Sequence, residues 1–303
     1  MNNMTSVRSF ARQLRSAVAI ALTIGLAALP ASATLIAHYD ASNITQADGT
    51  TPATPTDNTW VAIWPTGPNW YDLTPSNNDL VGGPNDPNYH DAGPEIINGD
   101  PAVAFRGGNY LTDSTGLGFS GNQAHTIFVV TRLSDSWNTL FLFSNDLNVQ
   151  NEGYSFYQSS ANTVRMEGGF GDNLEFTLGA SFRGTPIIIE LRYDGTTWNA
   201  AGMDAYLNGA AQTITGGSGN ALNFSAEAFT LGNFFGRGTS FDLGEFRVYN
   251  TALTDAERNA VGAALQTKWG ITGDYVAAAV PEPSTVLLLL VGGAIAYRKL
   301  RRA

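Results

Sequence analysis

The chain has 303 residues, with 16 Lys+Arg against 26 Asp+Glu for a formal charge of −10, and no cysteine. That balance disfavours binding to nucleic acid or to an anionic lipid surface. The lack of thiols excludes disulfides, thiol catalysis and thiolate metal sites, so an exported domain has to be held by an ordinary core or by metal ions. In chain order, Arg8, Arg12 and Arg15 form a basic start, an apolar run follows from Ala17 to Leu29, and Pro30 precedes Ala31-Ser32-Ala33. A charged region, a short greasy run and a small-x-small site predict a secretory signal peptide over residues 1–33, cut after Ala33. Without the two ends, residues 34–280 keep 9 Lys+Arg and 25 Asp+Glu, a formal charge of −16. A body of that length can build an adequate core.

The body reads as strands. Leu35–Tyr39 is the first, and residues 41–100, rich in Pro, Asn, Asp and Thr, read mostly as loop. Strand-like runs then follow at Ala102–Phe105, Thr126–Arg132, Thr139–Phe143, Tyr154–Gln158, Thr163–Glu167, Leu174–Leu178, Pro186–Tyr193, Met203–Leu207, Ala228–Leu231 and Phe241–Tyr249. Turn chemistry at Asp194-Gly195, Asn208-Gly209 and Gly216-Gly217-Ser218-Gly219 separates them, which points to an antiparallel sandwich or barrel. The continuous Ile187-Ile188-Ile189 predicts a central strand or one covered on both faces. Thr254-Asp255-Ala256-Glu257 is a capping box that opens a helix; Val261, Leu265 and Trp269 are expected to pack on a sheet, and Gly270 ends it.

The tail has its own logic. Thr285–Tyr297 gives 13 uncharged residues, followed at once by Arg298, Lys299, Arg301 and Arg302. As a helix this run reaches roughly 20 Å, short against about 30 Å of hydrocarbon, with the cations on the cytoplasmic side. A plain anchor needs only the run and the cations, and would leave Pro281-Glu282-Pro283 without a purpose. Residues 276–303 resemble the PEP-CTERM sorting signal through Pro281, Glu282 and Pro283, the short span 285–297 and the basic end. The resemblance implies a Gram-negative bacterium that makes extracellular polysaccharide. It also implies a membrane exosortase as processing partner and a transient tether to the inner membrane, with a final location in the cell envelope, on the outer surface or in the extracellular matrix.

The body also resembles a known group. His38-Tyr39-Asp40-Ala41-Ser42, Trp70-Tyr71-Asp72-Leu73, Ile97-Asn98-Gly99-Asp100-Pro101, Gly244-Glu245-Phe246-Arg247-Val248-Tyr249-Asn250 and Lys268-Trp269-Gly270 are similar to laminin-G-like domains of the concanavalin A-like lectin/glucanase superfamily. This implies a two-sheet antiparallel jelly roll over residues 34–275 whose first and last strands pair. The motifs are scaffold and say little of activity.

Glucanases of the superfamily carry Glu-x-Asp-x-x-Glu on one strand; here Ser240-Phe241-Asp242-Leu243-Gly244-Glu245 lacks the first Glu, so Asp242 and Glu245 are expected as an edge or rim pair and no catalytic residue is assigned. His38, His90 and His125 lie in separate segments and read as structural or surface residues. Calcium is the cofactor the resemblance allows, with Asn85-Asp86-Pro87-Asn88, Asn145-Asp146 and Asp172-Asn173 as candidate clusters that also suit turns, and the metal ligands stay unassigned. Sugar faces stack on exposed rings, so Trp137, Trp198 and Trp64 are the candidate contacts, while Trp70 is expected to be buried. The function expected is a non-catalytic lectin-like surface or matrix protein that binds polysaccharide or another surface component. The alternatives are a purely structural envelope protein or a glycan-acting hydrolase.

Overall fold

Alternation of apolar and polar residues along short runs is satisfied when each run buries one face, and the computed structural model does this with two stacked antiparallel sheets. It describes residues 33–277 apart from internal stretches, the longest being 45–58, 61–69, 83–86, 134–137, 143–152 and 233–239. The strands, in order, are β1 (Leu35–Asp40), β2 (Thr59–Trp60), β3 (Val81–Gly82), β4 (Asn88–His90), β5 (Ala102–Arg106), β6 (Tyr110–Asp113), β7 (His125–Leu133), β8 (Asn138–Leu142) and β9 (Ser155–Ser160). They continue as β10 (Thr163–Glu167), β11 (Asn173–Thr177), β12 (Pro186–Tyr193), β13 (Met203–Leu207), β14 (Ala210–Ala211), β15 (Thr215–Gly216), β16 (Phe229–Gly232) and β17 (Ser240–Tyr249), and helix α1 (Asp255–Trp269) closes the fold.

The first sheet runs β14-β13-β12-β7-β17-β5-β4-β2, with β1 also on β17; the second runs β15-β11-β10-β9-β8-β16-β6-β3. The chain crosses between them repeatedly: β5 lies in the first, β6 in the second, β7 in the first, β8 to β11 in the second, and β12 to β14 in the first again. This is a jelly-roll-like sandwich, and each of the eleven expected strands is present. Its core is the space between the sheets, where Phe105, Ile127, Val129, Ile189 and Phe246 meet Phe156, Val164, Met166, Leu174 and Phe229. Strand β17 is long enough to serve two partners on one side: Ser240–Leu243 pair with β5, and Glu245–Tyr249 pair with β1. The first and last strands are therefore neighbours, as the resemblance implied.

Three differences from the sequence reading have physical reasons. Residues 41–100 are not all loop, since β2 and β4 extend the first sheet, β3 extends the second, and Trp70 bridges Leu80. Strands of two or three residues are too short for alternation to show. Strand β6 was also missed, because Tyr110–Asp113 follows a Gly-Gly turn and has only two buried positions. Finally, α1 turns Arg258, Gly262, Leu265 and Trp269 inward, and Val261 stays half-exposed. The spacing 258, 262, 265, 269 is as helical as the one expected, but its buried face begins with a charged residue.

The local signals otherwise hold. Thr254 Oγ1 accepts from the Glu257 amide while the Glu257 carboxylate accepts from the Thr254 amide at 2.9 Å, and Gly270 ends the helix in the left-handed region at φ 59°. Asn208 and Gly209 have φ of 49° and 89°, as a tight two-residue turn between β13 and β14 requires. Ile187, Ile188 and Ile189 are all buried on β12, between β7 and β13, with α1 packed over part of the outer face. Among the described residues no helix is long and apolar enough to cross a membrane. The expected span 285–297, the sorting motif and the signal peptide up to Ser32 lie outside the described residues.

Candidate functional site

The motif residues converge on one knot at the C-terminal end of α1. Glu245 follows a register shift in β17 at Gly244, and a Cβ on Gly244 would come within 2.8 Å of the Trp269 ring. Only glycine lets the indole lie flat there, and its Nε1 then donates to Glu245 Oε2 at 2.8 Å. Lys268 Nζ bridges Glu245 Oε2 at 2.7 Å and Asp40 Oδ2 at 2.5 Å. Arg247 Nε donates to Glu245 Oε1 at 2.6 Å, and His38 Nε2 lies 2.7 Å from the same oxygen. Burial works against ionisation of Glu245, yet His38, Arg247 and Lys268 outweigh it and hold the carboxyl well below the usual range. The remaining motifs tie in as well. Asp72 accepts from the amides of His38 at 2.8 Å and Thr74 at 2.9 Å, and Asn98 Nδ2 donates to the Trp269 carbonyl at 2.9 Å. Trp70 is buried, as expected.

His38, Asp40 and Glu245 bring donor atoms within 4.8 Å of one another, which is close enough for a metal ion. The Lys268 ammonium already bridges Asp40 and Glu245, so the cluster carries its own cation. It fits a permanent strut and does not fit a metal centre.

Asp242 forms a second charged centre, two strand positions before the bulge. Its Oδ1 accepts from Arg106 Nη2 at 2.5 Å, and its Oδ2 from Arg132 Nε at 2.9 Å and Nη2 at 2.6 Å. The expectation of an edge or rim pair is corrected: β17 is an interior strand, Asp242 is 4% and Glu245 1% exposed, and each is clamped by its own cations. Both oxygens of Asp242 are taken up by guanidinium groups, so the carboxylate is not free to face a substrate and this strand does not assemble a glycosidase pair. Beside Asp242 a groove of about 200 Å³ opens where β5 and β7 end and β12 and β17 begin, lined by Arg106, Arg132, Leu133, Gly184, Ser240 and Asp242. The sequence had no signal for this groove, because its wall comes from four separate strand ends.

The sugar-stacking candidates divide. Trp198 is corrected to a core residue: it is 0% exposed, stands edge-on to Tyr193 at 6.2 Å, donates to the Asp172 carbonyl at 3.1 Å, and lies against Gly168. Both its ring faces are used, so no sugar can reach them. Trp137 and Trp64 lie outside the described residues, as do Asn85-Asp86 and Asn145-Asp146 among the calcium clusters. Asp172 is buried and its carboxylate accepts from Ser218 Oγ of the 216–219 loop at 2.5 Å. His125 is fully buried against Phe119 at 4.9 Å and against Tyr193 and Phe224 at 5.5 Å, and burial lowers its pKa to about 4. That leaves it a neutral core ring. His90 sits on β4, away from the Glu245 knot.

No protein-family model matches the chain, and a comparison with curated proteins finds no match. Solved structures match it in fold. An HCR/D mutant superposes with a TM-score of 0.50 at 9% identity, covering 77% of this chain and 52% of that one. The receptor binding domain of botulinum neurotoxin D gives 0.49 at 10% identity, covering 76% and 52%. Domain 4 of AbnA, a GH43 extracellular arabinanase from Geobacillus stearothermophilus solved with arabinotriose, gives 0.41 at 19% identity, covering 73% and 95%. The chain thus spans about half the length of the neurotoxin binding domains it matches. At such identities the likeness is one of fold alone.

Proposed function

We propose that this is an exported protein, processed by an exosortase at Pro281-Glu282-Pro283 and placed on the cell surface or in the extracellular matrix, with a non-catalytic lectin-like sandwich that binds polysaccharide or another surface component. The signal peptide and the three-part tail support the address. The binding role is carried by one observation: the carboxylates of the glucanase-like string are locked into separate ion clusters, while the sheet end beside Asp242 keeps an open polar groove. Binding without turnover is what such a surface can do.

The test is sedimentation of the purified protein with exopolysaccharide of its own host, with calcium and with a chelator. Saturable binding that is lost on Trp137→Ala supports the reading, and loss on chelation would add calcium as a ligand-bridging ion. No binding by the folded protein with calcium present moves the assignment to a structural envelope protein. Shortening of the polysaccharide during incubation overturns the non-catalytic reading outright.

A further inference from the structure

Among the described cations with carboxylate partners, those at the groove on the end of the first sheet are left with positive charge in excess. Arg106 and Arg132 share one carboxylate, Asp242, so the pair carries one positive charge in excess. The other described cations with carboxylate partners do not: Arg165 meets Glu175, Arg258 meets Glu190, Arg192 meets both Asp204 and Asp255, and Arg247 and Lys268 are balanced by Glu245 and Asp40. The two guanidinium groups also differ in what they have left. Arg132 gives its second Nη2 proton to the Pro94 carbonyl and one Nη1 proton to the Ile96 carbonyl at 3.3 Å, which leaves a single Nη1 N–H on a side chain 21% exposed, so it acts as a fixed wall. Arg106 Nη1 reaches the carbonyls of Phe105 and Phe241, each at 2.9 Å, and Nη2 reaches Asp242. Of five guanidinium N–H groups, its Nε–H and one on Nη2 stay available, on a side chain 44% exposed at the groove.

We propose that this groove is a subsite for one acidic sugar unit, a uronate, whose carboxylate is taken by Arg106 while Ser240 and the Gly184 backbone line the remaining wall. This rests on the polysaccharide-binding reading above and names its ligand class. The size agrees: about 200 Å³ is below the ~300–1,000 Å³ of pockets for drug-sized ligands, so one small polar unit fits and an extended oligosaccharide does not. Arginine suits the task because its planar fork meets a carboxylate with two parallel hydrogen bonds. The body's formal charge of −16 sharpens the selection, since an anion is repelled from most of the surface and attracted only where the local balance is positive.

The test is a titration of the purified full-length chain with a galacturonate trisaccharide and with maltotriose, at 50 and 300 mM NaCl. The expected result is at least ten-fold tighter binding of the uronate at low salt, a gap that narrows at high salt as the charges are screened. Arg106→Ala should weaken uronate binding at least ten-fold with little change for maltotriose, Arg106→Lys should restore part of it, and bound uronate should slow amide exchange at Gly184 and Ser240. Equal affinity for the two sugars, or uronate binding untouched by Arg106→Ala, overturns the proposal. The comparison within the parent chain decides the matter even if the variant does not fold. Binding of host polysaccharide that ignores Arg106 would sink the subsite alone, whereas no saccharide binding by the parent chain sinks this inference and the lectin-like reading together.

Discussion

Replacing Glu245 by Gln removes one charge from a site that is 1% exposed and bonded to four donors: His38 at 2.7 Å, Arg247 at 2.6 Å, Lys268 at 2.7 Å and Trp269 at 2.8 Å. The amide keeps one acceptor and turns an NH2 toward groups that are themselves donors. Removing one partner of a buried pair costs about 3–5 kcal/mol. Here Lys268 keeps Asp40, and Arg247 and Lys268 are 19% and 32% exposed, so water recovers part of the loss and the lower end, about 3 kcal/mol, is expected. Urea unfolding followed by tryptophan fluorescence reads this directly. With a slope of about 3 kcal/mol per molar the midpoint should fall by about 1 M. The pH dependence supplies a second reading. Glu245 has a lowered folded pKa, so its contribution is complete above the unfolded value of about 4.3 and is lost as pH falls below it. The gap between parent and Glu245→Gln should therefore be constant from pH 7 to 5 and shrink toward pH 3. A midpoint change under about 0.3 M, or a gap that stays constant to pH 3, would refute the view of Glu245 as the hub of the strut.

Other outcomes follow from the same contacts. His125 is fully buried and its pKa falls to about 4, so below its unfolded value of about 6.5 the unfolded chain takes a proton that the folded one refuses. Stability should drop by roughly 3 kcal/mol as pH falls from about 6.5 to about 4, a slope that His125→Phe should flatten in urea titrations at each pH. Gly262→Ala places a methyl into the Tyr275 ring, so despite the better helix propensity of Ala it should lower the melting temperature rather than raise it. Thr254→Ala removes the hydroxyl that accepts from the Glu257 amide, while the Thr254 amide still donates to the Glu257 carboxylate, and should cost about 1 kcal/mol in the same unfolding assay. Trp198→Ala, in the core, should destabilise the fold by about 3–5 kcal/mol and alter saccharide affinity only as far as the chain unfolds.

The sandwich was legible because its strands announce themselves in the currency that builds them. Val164 and Met166 on β10, and Leu174 and Phe176 on β11, alternate with mostly half-buried residues at period two, so a single face decides the element. The run Ile187-Ile188-Ile189 on β12 was equally informative, since three consecutive apolar residues fit a strand covered on both faces, though the next residue, Glu190, is buried as well through its pair with Arg258. What the sequence hid were elements shorter than one period, such as β2 and β3, and decisions taken by packing. Trp198 sits between Thr197 and Asn199, the surroundings of an exposed turn, yet Gly168 gives the indole its slot and the Asp172 carbonyl accepts its N–H. A turn's composition predicts its backbone and says little about where one large ring in it goes.

The two charged centres on β17 explain why the motifs describe a scaffold while the ligand has to be sought beside them. Glu245 lies where β1, β17 and α1 meet, and every donor around it comes from a motif segment, so the motif is a recipe for joining the first strand, the last strand and the closing helix. Exchange in such a cluster is costly, because each charge is neutralised by a named partner and Glu245 itself is buried. Asp242 lies earlier on the same strand, on the other side of the Gly244 bulge. Its partners Arg106 and Arg132 come from strand ends outside the motif segments, and one of them reaches solvent. Charge that is balanced and buried holds a fold together, whereas charge in excess at an open groove is available to a ligand. The bulge at Gly244 separates the two on one strand, and the groove side is where binding should be measured.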